Sequence, residues 1–240
     1  MLKVLKNLKK SFVSVIAIVI LLCVQAWADL SLPDYTSKIV NNGIQSGGIE
    51  KAIPEFISVK DMENINLFVD ENNKNTILQA YTLIENNITT KQKTTIEKYF
   101  GKNYKIEPGT IYILNDLEEE KENELLNIIV NPIMENSIIT SEEKSNEIKE
   151  KIMENMPEEQ KQYIANMSTL EIIKTLPQEQ RNELLKQFSS QIDEMQDSIK
   201  QQAAIASIKQ MYQSLEIDID KLQNDYILMS GIQMIGVALV

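Results

Sequence analysis

The stretch SFVSVIAIVILLCVQAWA, from Ser11 to Ala28, carries no charged residue and decides how the chain is organised. Four lysines, Lys3, Lys6, Lys9 and Lys10, precede it. As an α-helix rising 1.5 Å per residue it covers roughly 27 Å, close to the ~30 Å hydrocarbon thickness of a bilayer. We therefore expect a membrane-spanning helix. Because basic flanks stay in the cytoplasm, the N-terminus is predicted to be cytoplasmic and the chain after Ala28 extracytoplasmic.

The same residues also fit a cleaved signal peptide. The lysines form a basic first region, Phe12 to Val24 form an apolar region of suitable length, and Ala26-Trp27-Ala28 has the small-x-small form of a cleavage site. Under this alternative the chain would be a secreted or membrane-anchored helical binding domain. The apolar run alone leaves both interpretations open.

The other end of the chain favours the membrane helix. The stretch YILMSGIQMIGVALV, from Tyr226 to Val240, is uncharged. A membrane helix needs about 20 residues and about 15 are present, so we interpret 226–240 as the start of a second membrane helix. We expect the natural reading frame to continue into further membrane helices.

Composition excludes several classes of function. The net charge is -11, and the basic N-terminus makes the remainder more acidic still. Nucleic acid is disfavoured as a partner, because phosphate binding needs a basic surface. The chain has no histidine and one cysteine, Cys23. An internal disulfide, a cysteine metal cage and histidine-dependent catalysis are therefore excluded.

No catalytic, cofactor or metal site is predicted in this chain. Gly43 and Gly48 have the separation of a phosphate loop, but Ile49 and Glu50 stand where its lysine and Ser/Thr belong. The acidic run 116–124 is interpreted as a solvated helix start, where carboxylates complement the helix dipole. We expect no enzymatic activity from the chain alone.

Gln25 is the one candidate functional residue. It is the only strongly polar side chain in the apolar run, and a polar group at membrane depth indicates a role in a translocation path. The alternative is that Gln25, near the outer end of the run, reaches interfacial water.

Four regions follow from these patterns. We expect a cytoplasmic basic interfacial segment at 1–10, a first membrane helix with an outward extension at 11–44, an acidic helical extracytoplasmic insert at 45–225, and the second helix at 226–240. The extension is predicted to continue past Pro33 and to stop at glycines near residue 43.

The insert is predicted to be mostly helical. The segment KNYKIEPGTIYILND, residues 102–116, alternates around Pro108-Gly109 and predicts a small β-hairpin. Apolar residues then step by three and four to form a helical stripe, packed inside the insert or facing a coiled-coil partner. The stripe consists of Leu185, Phe188, Ile192, Met195 and Ile199, and is expected to continue through Leu222 into the second membrane helix.

These segments resemble a known family. The lysine-flanked span followed by LPDYTSKIVNNGIQSGGIEKAIPE (Leu32 to Glu55) resembles the first membrane helix of bacterial ABC exporter half-transporters, multidrug-type proteins that fuse a permease to an ATPase. It resembles in particular a Firmicute-type subgroup with a long extracytoplasmic insert between membrane helices 1 and 2. KLQNDYILMSGIQMIGVALV (Lys221 to Val240) is similar to that subgroup's second-helix entry. MPEEQ (156–160) and LPQEQ (176–180) match more loosely.

The resemblance implies an all-α, multi-pass protein of the cell membrane. The complete family protein would alternate between inward and outward access as ATP, held with Mg²⁺, is bound and hydrolysed on domains that these 240 residues lack. Its implied partners are the lipid bilayer and a second half-transporter, giving a heterodimer. The present chain would be the N-terminal part of the permease.

Overall fold

The computed structural model describes residues 12–86, 88–154, 161, 164 and 166–239. The chain divides into two compact units. The terminal unit comprises Met1–Ile49 and Asp220–Val240, and the central domain comprises Glu50–Ile219. The predicted basic segment 1–10 and the MPEEQ segment lie outside the described residues.

The terminal unit is built from helices. Helix α1 (Phe12–Lys38) runs through Pro33 and continues as a π-helix (Ile39–Gln45), in agreement with the extension predicted past Pro33. The π-helix ends at Gln45, and Gly47 and Gly48 follow with positive φ, a backbone conformation that glycine adopts without strain. The second apolar segment lies in a helix running from Ile219 to Ala238.

One helix in the described part of the chain is long and apolar enough to cross a membrane. It covers Phe12–Gln45 and has a mean hydropathy of 2.3. A signal sequence near the N-terminus has the same properties, so length and composition are weakly consistent with membrane association.

The central domain is mostly helical and includes one small sheet. Strand β3 (Ile111–Leu114) lies between β1 (Phe56–Ser58) and β2 (Tyr81–Leu83), antiparallel to both. The helices in chain order are α2 (Val59–Ile65), α3 (Glu71–Ala80), α4 (Thr90–Phe100), α5 (Glu119–Thr140), α6 (Glu142–Glu154), α7 (Thr169–Thr175), α8 (Gln178–Asp193) and α9 (Asp197–Ser214). The Ile219–Ala238 helix is α10.

Helix α5 is the centre of this domain. It contacts α2, α3 and α6 to α9. Its residues Leu125, Ile129 and Ile133 recur every four positions and are almost completely buried, which places one face of the helix in the core. Glu119, Glu120 and Glu122 lie in its first turn, as the acidic run predicts.

The predicted hairpin at 102–116 is wrong. Only its second half forms a strand, β3, whose partners come from distant parts of the chain. In the first half of the segment, before Pro108-Gly109, Tyr104 stacks on Phe100 of α4 with ring centroids 4.5 Å apart. Alternation in a sequence indicates an extended strand but does not identify the strand it pairs with. The alternation at 102–116 therefore predicts a strand correctly and its partner wrongly.

The predicted stripe of Leu185 to Ile199 is not one helix. Helix α8 ends at Asp193 and α9 begins at Asp197. Ile192 is buried, whereas Ile199 is 48% exposed. The stripe is also expected to continue as a helix into the second apolar segment, but the helix is interrupted. Glu216 has a positive φ, and a new helix, α10, begins at Ile219.

Candidate functional site

Within the terminal unit, α1 and α10 lie antiparallel. Thr36 Oγ1 approaches Met234 Sδ at 3.9 Å, and Asn42 Nδ2 donates a hydrogen bond to the Tyr226 hydroxyl at 3.2 Å. Gln223 Nε2 lies 3.4 Å from the carbonyl oxygen of Ile44. Residue numbers rise along one helix as they fall along the other, so α10 runs back along the C-terminal part of α1 and the π-helix.

Two glycines permit this close approach. A Cβ at Gly43 would lie 2.7 Å from Cγ1 of Ile227, and one at Gly48 would lie 2.7 Å from the carbonyl oxygen of Leu222. Both distances are shorter than side chains tolerate, and Gly48 also has a φ of +83°. Small residues at helix contacts are typical of membrane helix pairs. The glycines predicted only as stop signals are therefore also packing positions.

The other face of α10 is apolar and exposed. Its side chains there belong to Leu228, Met229, Ile232 and Ile235, all more than half exposed. The less exposed side of α10 consists of half-buried or buried residues that recur at helical spacing, namely Tyr226, Ile227, Ser230 and Met234. An exposed apolar face of this kind indicates contact with lipid or with other helices.

Gln25 is exposed on α1. The less exposed positions of that helix include Val24, Ala28 and Leu32, and Gln25 is not among them. The structure does not bring Gln25 together with another polar side chain among the described residues, and its role in a translocation path stays a prediction.

The central domain contains a cavity of about 740 Å³. It is lined by residues of β2, β3, α4 and the first turn of α5. Glu55 lies at this cavity, and its main chain is firmly held: its N–H donates to the Tyr212 hydroxyl at 2.7 Å and its carbonyl accepts from the Leu114 N–H at 2.9 Å. The preceding carbonyl, of Pro54, accepts from the buried Tyr81 hydroxyl at 2.8 Å.

The Glu55 carboxylate has no hydrogen-bond or ion-pair partner within the described part of the chain. Burial raises the pKa of Glu55, and the nearby Lys98 ammonium opposes that rise. The Lys98 ammonium lies 5.4 Å from the centroid of the Tyr99 ring, a cation–π distance. Tyr99 packs edge-on against Phe56 and Tyr212, which fixes its ring as one wall of the cavity.

A second unusual carboxylate lies in the core. Glu135 of α5 is only 2% exposed and accepts a short hydrogen bond from the Ser189 hydroxyl of α8. Burial raises the pKa of Glu135 to about 7, with Asp193 adding to the rise and the Ser189 hydrogen bond opposing it. Asp193 is itself held by Asn131 Nδ2 at 2.9 Å. The charge of Glu135 therefore changes near neutral pH.

Sequence reasoning did not identify the cavity or either carboxylate. Glu55 and Glu135 stand in the sequence like many other acids, and their burial depends on distant segments. The described residues contain no group of three or more Asp, Glu, His or Cys side chains placed to hold a metal ion.

Comparison with protein-family models, with curated proteins and with solved structures finds no significant match to the chain.

Proposed function

We propose that this chain is the N-terminal part of the permease of an ATP-driven ABC exporter. Helix α1 is its first membrane helix, α10 is the entry into the second, and the central domain is an extracytoplasmic insert between them. The N-terminus lies in the cytoplasm, and the complete protein is a multi-pass protein of the cell membrane. Its partner is a second half-transporter.

The observation that carries this proposal is the antiparallel pairing of α1 and α10. Gly48 lies against Leu222, so the chain leaves this helix pair and rejoins it at the same end. An insert between two successive membrane helices requires this arrangement, because the second helix must re-enter the bilayer beside the first. The exposed apolar face of α10 supports the same interpretation, since lipid or further permease helices would cover it.

ATP chemistry is assigned to parts of the protein outside this sequence. Phosphate binding needs a glycine-rich loop with a lysine, plus carboxylate-held Mg²⁺, and no segment here has that arrangement. The role proposed for this chain is to contribute helices to the translocation path, with Gln25 as its candidate polar residue.

The alternative, a signal-peptide-bearing secreted or membrane-anchored binding domain, has one observation in its favour. The cavity beside Glu55 lies wholly within the central domain and would function without a transporter. Against cleavage, α1 is a continuous helix across Ala28, and Ser31 Oγ donates to the carbonyl of Trp27 at 2.8 Å. Proteolysis favours exposed loops over hydrogen-bonded backbone.

A reporter fusion at Ser141 tests the topology. Alkaline phosphatase, active only outside the cytoplasm, should be active there, and a fluorescent reporter that matures only inside should be dark. A matched chain lacking residues 1–28 should reverse both signals, because the targeting segment is gone. An inactive phosphatase at Ser141 in the full chain, with a bright cytoplasmic reporter, would contradict the proposed topology.

A further inference from the structure

The cavity beside Glu55 has the size of a small-molecule site. Its volume of about 740 Å³ lies within the roughly 300–1,000 Å³ typical of ligand pockets. All its lining residues belong to the central domain, so it does not depend on the exporter proposal.

The charges lining the cavity favour a cation. Four carboxylates line it, those of Glu55, Glu85, Asp116 and Glu122, against two ammonium groups, those of Lys91 and Lys98. Lys91 forms an ion pair with Asp116, and Glu122 pairs with Lys51 at 2.6 Å. The remaining negative charge raises the local concentration of cations, in a domain that is itself acidic.

Glu55 is the anchoring group that this surface offers. Its carboxylate is half-buried and has no partner among the described residues, and its backbone is fixed by Tyr212 and Leu114. A carboxylate held in this way makes a strong charge-assisted hydrogen bond to an N–H⁺ donor. Tyr99 also lines the cavity, and an aromatic ring attracts a cation placed near it.

The rest of the wall combines apolar side chains with polar ones such as Thr95 and Asn115. Ile84, Ile88, Leu114 and Leu117 line the cavity and suit a hydrocarbon or aromatic body. The described carboxylates do not converge as a metal site would require. We propose that the cavity binds a small organic ammonium compound. Its charged nitrogen would lie on Glu55 and its apolar body against the four apolar side chains.

Calorimetry on the full chain in phosphatidylcholine nanodiscs tests the site, with the heat of empty nanodiscs subtracted. The probes are 2-phenylethylammonium, the neutral 2-phenylethanol and the anionic 3-phenylpropionate. We expect the ammonium probe to bind at least about tenfold more tightly than the alcohol, and the anion to bind most weakly. Equal affinities for the ammonium and alcohol probes would overturn the proposal.

Two variants with opposite expected effects locate the binding. Glu55→Gln should weaken ammonium binding about tenfold and leave alcohol binding unchanged, whereas Lys98→Gln should strengthen ammonium binding by removing a competing cation. Glu124→Gln, on the exposed face of α5, is the matched control and should change neither. Thermal unfolding checks that each variant is folded. An unchanged ammonium affinity in folded Glu55→Gln would overturn the proposal, and if that variant does not fold, an unchanged affinity in Lys98→Gln would do so.

Discussion

Replacing Ile192 with Asp is expected to lower the free energy of unfolding by about 2 to 5 kcal/mol. Ile192 is 2% exposed near the end of α8, where a carboxylate would be buried without a partner. The expected loss combines the lost apolar burial with the cost of removing a charge from water. Urea unfolding of the full chain in detergent micelles, followed by far-UV circular dichroism, measures it.

Ile199→Asp is the matched control, because both isoleucines belong to the same sequence-predicted stripe. Ile199 is exposed and lies in the first turn of α9, where a carboxylate complements the helix dipole. We expect a change within about 0.5 kcal/mol for this variant. Equal losses in the two variants would mean that the break between α8 and α9 is misplaced.

Replacing Glu135 with Gln is expected to remove a pH dependence of stability. In the folded protein, burial raises the pKa of this carboxyl from its ordinary value of 4.5 to about 7. Between these two values the folded protein keeps the proton and the unfolded chain releases it. The contribution of Glu135 to the stability of the native protein should therefore fall as pH rises from about 4.5 to about 7, and then level off.

The expected size of the Glu135 effect follows from the shift in pKa. The rise in pKa corresponds to a loss of roughly 3 kcal/mol in the free energy of unfolding between about pH 4.5 and pH 7. Gln keeps the acceptor for Ser189 and has no charge to bury, so its advantage over the native residue should grow from near zero at pH 4.5 to roughly 3 kcal/mol at pH 8.

The control for the pH series is Glu124→Gln, an exposed position on the same helix. Its stability difference from the native protein should stay nearly constant with pH. A constant difference for Glu135→Gln as well would show that this carboxyl is ionised in the folded protein at low pH, contrary to its burial.

Patterns that act within one helix could be predicted from the sequence. The uncharged run predicts α1, and the periodicity of Leu32, Tyr35 and Ile39 predicts its extension, because burial on one side of a helix repeats every three to four residues. The acidic run before Leu125 predicts the start of α5 for an equally local reason, the helix dipole.

Features that depend on distant segments could not be predicted. The alternation at 102–116 predicts a local hairpin, whereas β3 pairs with distant strands. The apolar residues spaced by three and four from Leu185 to Ile199 predict one helix, whereas the chain breaks between α8 and α9. The Glu55 N–H donates to Tyr212 and the Glu135 carboxylate accepts from Ser189, and both partners are far away in the sequence. The burial that raises the pKa of each carboxyl likewise depends on distant segments. Gln25, predicted from its apolar neighbours, remains untested by the geometry.

The mass of the intact chain in the membrane fraction tests the central claim most directly. The claim is that α1 stays in the mature protein as a membrane helix paired with α10, and it predicts that residues 1–28 are retained. The full-length mass should therefore be found in the membrane fraction. A mature chain beginning at Asp29 would contradict the account and favour a secreted domain released by a signal peptidase.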